Sequence, residues 1–534
     1  MLSSKKFILF LGRIKYLLND NFTTGRAAGA VNGTNAEPTG GNRGVLDGNS
    51  KLSLSSGQLT FSTGGVASYD PTLIHTTTGY TRTTGRILVI KLNLISGRLQ
   101  AGWLNNTSLV AATINAARQG SVDFNAGVLN YVSQTATGIA VGVYSTGTDY
   151  LVALIQRASG TMMLIKGGAF TNWTLCYVNS IESSATLYPY VSAIGTTGVG
   201  TSDYARIPQN IWLPTPLASD GFGSSFGTTD GLGHAEGVAG GLGAGGSGLT
   251  WSNTNSVWSV SSAKAIVTPN LGSDVVVNGG FATDTDWTKG TGWTIAGGVA
   301  VATAATGFLT AAVPPLTVGT WIQTTYTIAG YVSGTVQLVP GNIGNVARTA
   351  NGTYTETQRI GTTGLLFNPT VALTATIDNV TAKALTTSEI ISGVQQVFTA
   401  DVMVDVAVTF VAGYQAGLCL NLDSTSNPQN FVLIYILNGN VRVDKCVAGT
   451  YTTVSTNAVT YSAGAVLRVA KIGTAYRVYY NNALVGTSNT ISDAGITSNT
   501  LHGLFSTSSV NTLDNFVVYP SNSSQYSVLD KYIG

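Results

Sequence analysis

Residues 150–178 read YLVALIQRASGTMMLIKGGAFTNWTLCYV, and residues 431–454 read FVLIYILNGNVRVDKCVAGTYTTV. Each stretch is an apolar run, a glycine-containing turn, a second run, a lysine near a glycine-containing link, and a third run. β-Branched and aromatic residues fill the runs while Gly, Asn, Ser and Thr bound them, the signature of short antiparallel strands. The two stretches match one another, which predicts two copies of one domain type. Their openings match as well, LNDNFTTG from Leu18 and LASDGFGSS from Leu217.

The same texture continues outward, at residues 86–94 (RILVIKLNL) and 475–480 (AYRVYY). Long capped stretches of period 3.6 are missing, and 181–193 reads as a short helix or a loop. The expected fold is all-β, a multidomain set of antiparallel β-sandwiches, with helix below about one residue in ten. A chain of 534 residues has room for two to four domains with cores of their own. The first sandwich is expected over 19–215. The second copy opens at 217–270, where it runs into a Gly-rich stretch at 221–248, and resumes over 386–520. Residues 271–385 form a different module, inserted where loop tips tolerate insertion. Plain tandem order, with a short domain at 217–270, is the alternative. Residues 1–18 are expected to be a docking segment and 521–534 a C-terminal tail. The start, MLSSKKFILFLGRIKYLLN, also resembles a signal peptide, but its apolar run is short and is followed by Arg13 and Lys15.

Hydrophobic residues make up 44% of the chain, which excludes a disordered tail. Charged residues are only 9%, against roughly 25% in an average soluble domain. Such a neutral, hydroxyl-rich surface suits contact with glycans, neighbouring subunits or the outside world, not cytosolic metabolism. Lys and Arg number 26 against 24 Asp and Glu, and the one basic cluster is Lys5, Lys6, Arg13 and Lys15. Nucleic-acid binding needs a more concentrated positive field and is not expected. No run of about 20 apolar residues exists, so no membrane span is expected.

The stretch from Val275 opens with VVVNGGFATDTDWTKGTGWTIAGG and closes with ATIDNVTAKAL. Asn278, Gly279, Gly280, Phe281, Trp287 and Trp293 at the opening, and Asp378, Asn379 and Val380 at the close, resemble a carbohydrate-binding-module-like jelly roll. The two copies are similar to concanavalin A-like or laminin G-like sandwiches. The second carries SDGFG, Trp251, Trp258 and a closing LDNFVVYP, whereas the first lacks a clear closing Asp-Asn-aromatic element. Such domains occur in phage tail and other virion proteins and in secreted bacterial glycan-handling proteins. The resemblance implies a virion or extracellular surface protein, a phage tail, fibre or decoration component serving assembly and host attachment. A glycan-binding protein of a secreted bacterial system is the alternative, and a glycoside hydrolase the more remote one. Repeated copies imply a homo-oligomer or contacts with other surface subunits. The jelly-roll resemblance also implies a structural calcium, with Asp274 and Asp378 as ligands and backbone carbonyls completing the six to eight oxygens calcium takes. The competing reading is that Asp378 caps a turn.

No catalytic constellation stands out, and no enzyme is expected. His75, His234 and His502 lie in separate segments, and the glutamates, at 37, 182, 236, 356 and 389, form no paired motif of the kind glycoside hydrolysis needs. Asp401 and Asp405 share one face of a candidate strand, which a solvated face explains equally well. Cys176, Cys419 and Cys446 have no metal-ligand spacing and read as buried thiols, with a Cys419–Cys446 pair as the alternative. Aromatic rings carry the functional expectation. Trp287, Trp293, Trp321 and Tyr326 are candidate platforms for neutral glycans, with core packing the competing role.

Overall fold

The computed structural model describes residues 15–533, except 28, 35, 37, 40–41, 49, 63–70, 77–78, 136–137, 181, 183–185, 223–250, 253–256, 341–345, 386–390 and 395–398. The expected docking segment, apart from residues 15–18, thus lies outside the described residues, as do nearly all of the Gly-rich stretch and His234. Strand accounts for 59% of the chain and helix for 5%, in multiple antiparallel sheets. The protein is an all-β assembly of sandwiches. It divides into two compact units, Met1–Thr215 with Pro520–Gly534, and Pro216–Tyr519.

In the first unit, strands Ile87–Leu104 and Thr186–Pro208 run antiparallel from Tyr188 opposite Leu104 to Arg206 opposite Val89. Ile87–Leu104 also pairs with Asp149–Gln156, which continues into Thr161–Gly167 and Phe170–Val178. The expectation of a helix or loop over 181–193 is therefore corrected from residue 186 onward. Pro189 breaks the local strand signal, but Tyr188–Ile194 is held by non-local pairing to Arg98–Leu104. The expected tail is corrected too. Ser524–Tyr532 is a 3-10 helix whose Tyr526, Leu529 and Tyr532 are buried. Their spacing of three matches the three residues per turn of that helix, which puts all three on one side. The segment is tied down where Leu175 N donates to Ser521 O (2.8 Å) and Arg206 Nη1 donates to Tyr532 O (2.9 Å).

In the second unit two sheets face each other. One runs Trp258–Ser261, Lys264–Val267, Thr512–Pro520, Val402–Thr409, Ala465–Ile472, Ala475–Tyr480 and Ala483–Leu484. The other runs Trp251–Ser252, Ile391–Val394, Leu501–Ser506, Ala416–Leu422, Phe431–Leu437, Asn440–Val447 and Thr450–Ala458. Both sheets thus combine strands from before residue 270 with strands from after residue 390. Residues 271–385 make a sheet of their own with a separate core, and Leu271 pairs with Leu385, so this module leaves and returns at neighbouring points.

All seven residues of Phe431–Leu437 are buried. Val432, Ile434 and Ile436 point into the core between the two sheets. Phe431, Leu433, Tyr435 and Leu437 point the other way, into a cluster with Trp321 and Leu385 of the jelly roll. A strand covered on both faces needs an unbroken apolar run, which is what FVLIYIL is.

The matched openings fold alike. Asp20 Oδ1 accepts from Phe22 N (3.2 Å) and Asp220 Oδ1 from Phe222 N (2.8 Å). Both phenylalanines are buried with φ of +53° and +48°, a left-handed conformation that bulky residues seldom adopt. The aspartate caps the kink that turns each ring into its core.

Candidate functional site

The four rings expected to form glycan platforms are core residues. Trp287 stacks on Phe367, packs against the tilted ring of Phe281 and donates Nε1–H to Asn278 O (3.0 Å). Trp293 donates to Gly307 O (2.8 Å), and Tyr326 lies edge-on to Phe367 with its hydroxyl on Glu356 Oε1 (3.2 Å). Trp321, fully buried, packs on Tyr435 and Phe505. None offers an open face to a sugar. Alternation along a strand does not distinguish a ring facing the core from one facing solvent, and of the two roles the sequence left open the structure gives core packing.

Asp274 and Asp378 do not form a calcium pair. Asp274 Oδ1 accepts from Val276 N (3.0 Å) and Ala382 N (2.8 Å), and its register partner is Lys383. Asp378 lies five residues along that strand from Lys383, on the order of 16 Å at about 3.3 Å per residue. It caps its own turn, accepting from Asn379 N (2.7 Å), with Asn379 at φ +54°. Among the described residues, no group of three or more His, Cys, Asp or Glu is placed to hold a metal ion.

Several other titratable groups are engaged within the fold. Asp405 pairs with Arg468 and Asp401 with Lys471 (2.6 and 2.7 Å). Glu182 accepts from Tyr131, Asn179 and Arg82, and Glu356 from Arg348, Tyr326 and Gln358. Burial raises both carboxyls above the usual range despite these donors. His75 and His502 are fully buried, and desolvation lowers each to about 4. His502 receives Asn421 N on Nδ1 (3.3 Å), so Nε2 carries the proton toward Thr399 O (3.2 Å). The three cysteines are buried and none is in a disulfide.

A pocket of about 250 Å³, lined mostly by polar residues, opens in the first unit. It lies between the turn joining Thr161–Gly167 to Phe170–Val178 and the C-terminal segment. Lys166, Asn172 and Trp173 line one side, and Asn522, Ser523, Ser524, Ser527 and Asp530 the other. Asp530 Oδ1 accepts from both Lys166 Nζ (2.9 Å) and Trp173 Nε1 (2.9 Å), so the buried indole holds the carboxylate in place at the edge of the pocket. The pocket's one carboxylate is thus matched by its one ammonium, and amides and hydroxyls make up most of the rest. The lysine beside a glycine link had marked this turn in the sequence. Its partners, more than 350 residues away, carried no comparable signal.

No family model matches the sequence, and no curated protein matches it. Among solved structures, parts of the chain are similar to a carbohydrate-binding module, CBM66, from Bacillus subtilis (15% identity, 24% of this chain and 84% of that one, TM-score 0.18). Others are similar to LamAcat from Zobellia galactanivorans (15% identity, 36% and 98%, TM-score 0.24) and to the metal-free VIP36 exoplasmic/lumenal domain (6% identity, 38% and 95%, TM-score 0.29). The sandwich architecture rests on the chain's own strand order. Among the described residues, no helix is long and apolar enough to cross a membrane.

Proposed function

We propose that the protein binds neutral glycans at an extracellular surface, without catalysis. The observation that carries this reading is the small polar pocket beside Trp173. Its volume of about 250 Å³ falls below the roughly 300–1,000 Å³ of drug-sized sites, which suits one sugar ring. Its lining supplies hydrogen-bond donors and acceptors with the charges already paired, and the chain as a whole carries little charge. A polyanionic ligand would gain little attraction from such a surface, whereas hydroxyls lose little on leaving water if amides and hydroxyls replace it. In this reading the second unit, with the outward face of one sheet covered by the jelly roll, is a spacer. The finer setting, a phage tail or other virion component, is one in which many copies would raise weak binding through avidity. No metal is required. The full chain, displayed at high density on a neutral-glycan array with and without calcium, is expected to bind in both conditions. Binding to nothing at high density would leave a purely structural role as the better reading.

A further inference from the structure

The pocket can be assigned a ligand class and a set of reading residues. Asp530 spends one oxygen, Oδ1, on the lysine and the indole, and its second oxygen remains an acceptor. Lys166 is about one-third exposed and keeps donors beyond the one given to Asp530. The side chains of Asn172, Asn522, Ser524 and Ser527 make no hydrogen bond within the chain among the described residues. A carboxylate and an ammonium held side by side are an acceptor and a donor at the spacing of two adjacent hydroxyls. We propose that this pocket binds a single uncharged sugar ring by a pair of neighbouring hydroxyls. Lys166 and Asp530 read the pair, the Asn172 and Asn522 amides complete the ring's polar contacts, and the buried Trp173 indole holds Asp530 in position.

This assignment rests on the glycan-binding reading and adds a selectivity to it. A sugar carrying a carboxylate would face Asp530 while competing for an ammonium already paired, so uronic and sialic acids are disfavoured. The site is also preformed. Its C-terminal half is anchored by the backbone bridge between Thr174 and Asn522, by two hydrogen bonds between Gln525 and Thr215, and by the buried Tyr526, Leu529 and Tyr532. Binding therefore does not have to order the segment first.

The test is calorimetry or ligand-observed NMR on the full chain. The probes are methyl glycosides of glucose, mannose and galactose, with glucuronate and N-acetylneuraminate as acidic counterparts. At least one neutral glycoside is expected to bind saturably, and the acidic sugars at least about tenfold more weakly. Asp530→Asn and Asn522→Ala should each weaken binding by about tenfold, the effect of losing one charged or well-placed hydrogen bond. Asn522 is exposed, so that variant keeps its thermal midpoint, and Ser527→Phe, which fills the pocket from an exposed position, should abolish binding. Neutral-glycoside binding that survives both Asn522→Ala and Ser527→Phe would place the sugar elsewhere, overturning this site while leaving the glycan reading intact. Preference for an acidic sugar would overturn the selectivity. Absence of binding to every glycan, on the array as well, would overturn both.

Discussion

At the residue scale, several side chains that looked functional turn out to hold the fold. Trp287, Trp293 and Tyr326 each fill a core and satisfy their polar atom internally, so truncation leaves both a cavity and an unpaired partner. Trp287→Ala and Tyr326→Ala should each cost about 3–5 kcal/mol, read as a lowered urea midpoint. An unchanged midpoint would return these rings to the surface. The two buried histidines set a pH dependence. Both are held near 4, below their ordinary 6.5. Above pH 6.5 folded and unfolded chains are alike neutral at these positions, and their contribution to stability is complete. As pH falls from 6.5 toward 4, the unfolded chain takes up protons that the folded one refuses. Stability then drops by up to about 1.4 kcal/mol per pH unit for each histidine. Urea melts of the parent and of His502→Phe between pH 7 and 5 should give a shallower slope for the variant; parallel slopes would exclude the histidine as a source. The sequence left these rings between platform and core because residue type reports how much surface is buried, not on which side of a strand.

At the element scale, the lesson differs. The run FVLIYIL read in the sequence as a strand, and the structure shows why it is unbroken: Trp321 and its neighbours cover its second face. Beside this cluster sits Asp444, fully buried, accepting from the Tyr435 hydroxyl (2.6 Å) and from Arg442 Nε (2.9 Å) and paired with Arg359 of the jelly roll (3.0 Å). Removing the carboxylate strands Arg359 and Arg442 in a dry contact. Asp444→Ala should therefore cost about 3–5 kcal/mol, whereas exposed pairs such as Lys289–Asp284 should contribute about 1 kcal/mol or less. Chemical denaturation of both single variants checks the contrast, and equal losses would contradict it. The matched openings were legible as a repeat, but the reason for the match was not. Only the geometry shows Asp20 and Asp220 capping a left-handed phenylalanine. Asp220 also accepts from Trp251 Nε1 (2.7 Å), so Asp220→Ala should lose about 1–3 kcal/mol through two orphaned donors, measured by the same melts.

At the scale of the whole molecule, the all-β character and the sandwich architecture were readable from local pattern, since short β-branched runs between polar turns leave few alternatives. The pocket was not, because its two sides come from residues 166–173 and 522–530, and no local rule links them. The hint lay in Tyr526, Leu529 and Tyr532, whose spacing of three marks a docked 3-10 turn where a free tail was expected. Trp321→Ala probes the second unit as a whole. Because this ring belongs to the cluster shared by jelly roll and sandwich, the loss should lower the unfolding of both together, followed by hydrogen exchange in Phe431–Leu437 and in Trp321–Val339; destabilisation confined to the jelly roll would show the two to be energetically separate. The return of Pro520–Gly534 to the first unit has a consequence for the timing of biosynthesis. A ribosome that has finished residue 215 must add about 300 more before that unit's last segment exists, roughly 15–60 s at about 5–20 residues per second. Throughout that interval the nascent first unit has Trp173 and Lys166 without Asp530. Chains that stall or are cut anywhere in the excursion lack one side of the pocket, so capture on the sugar proposed for it would select the chains that reach residue 530.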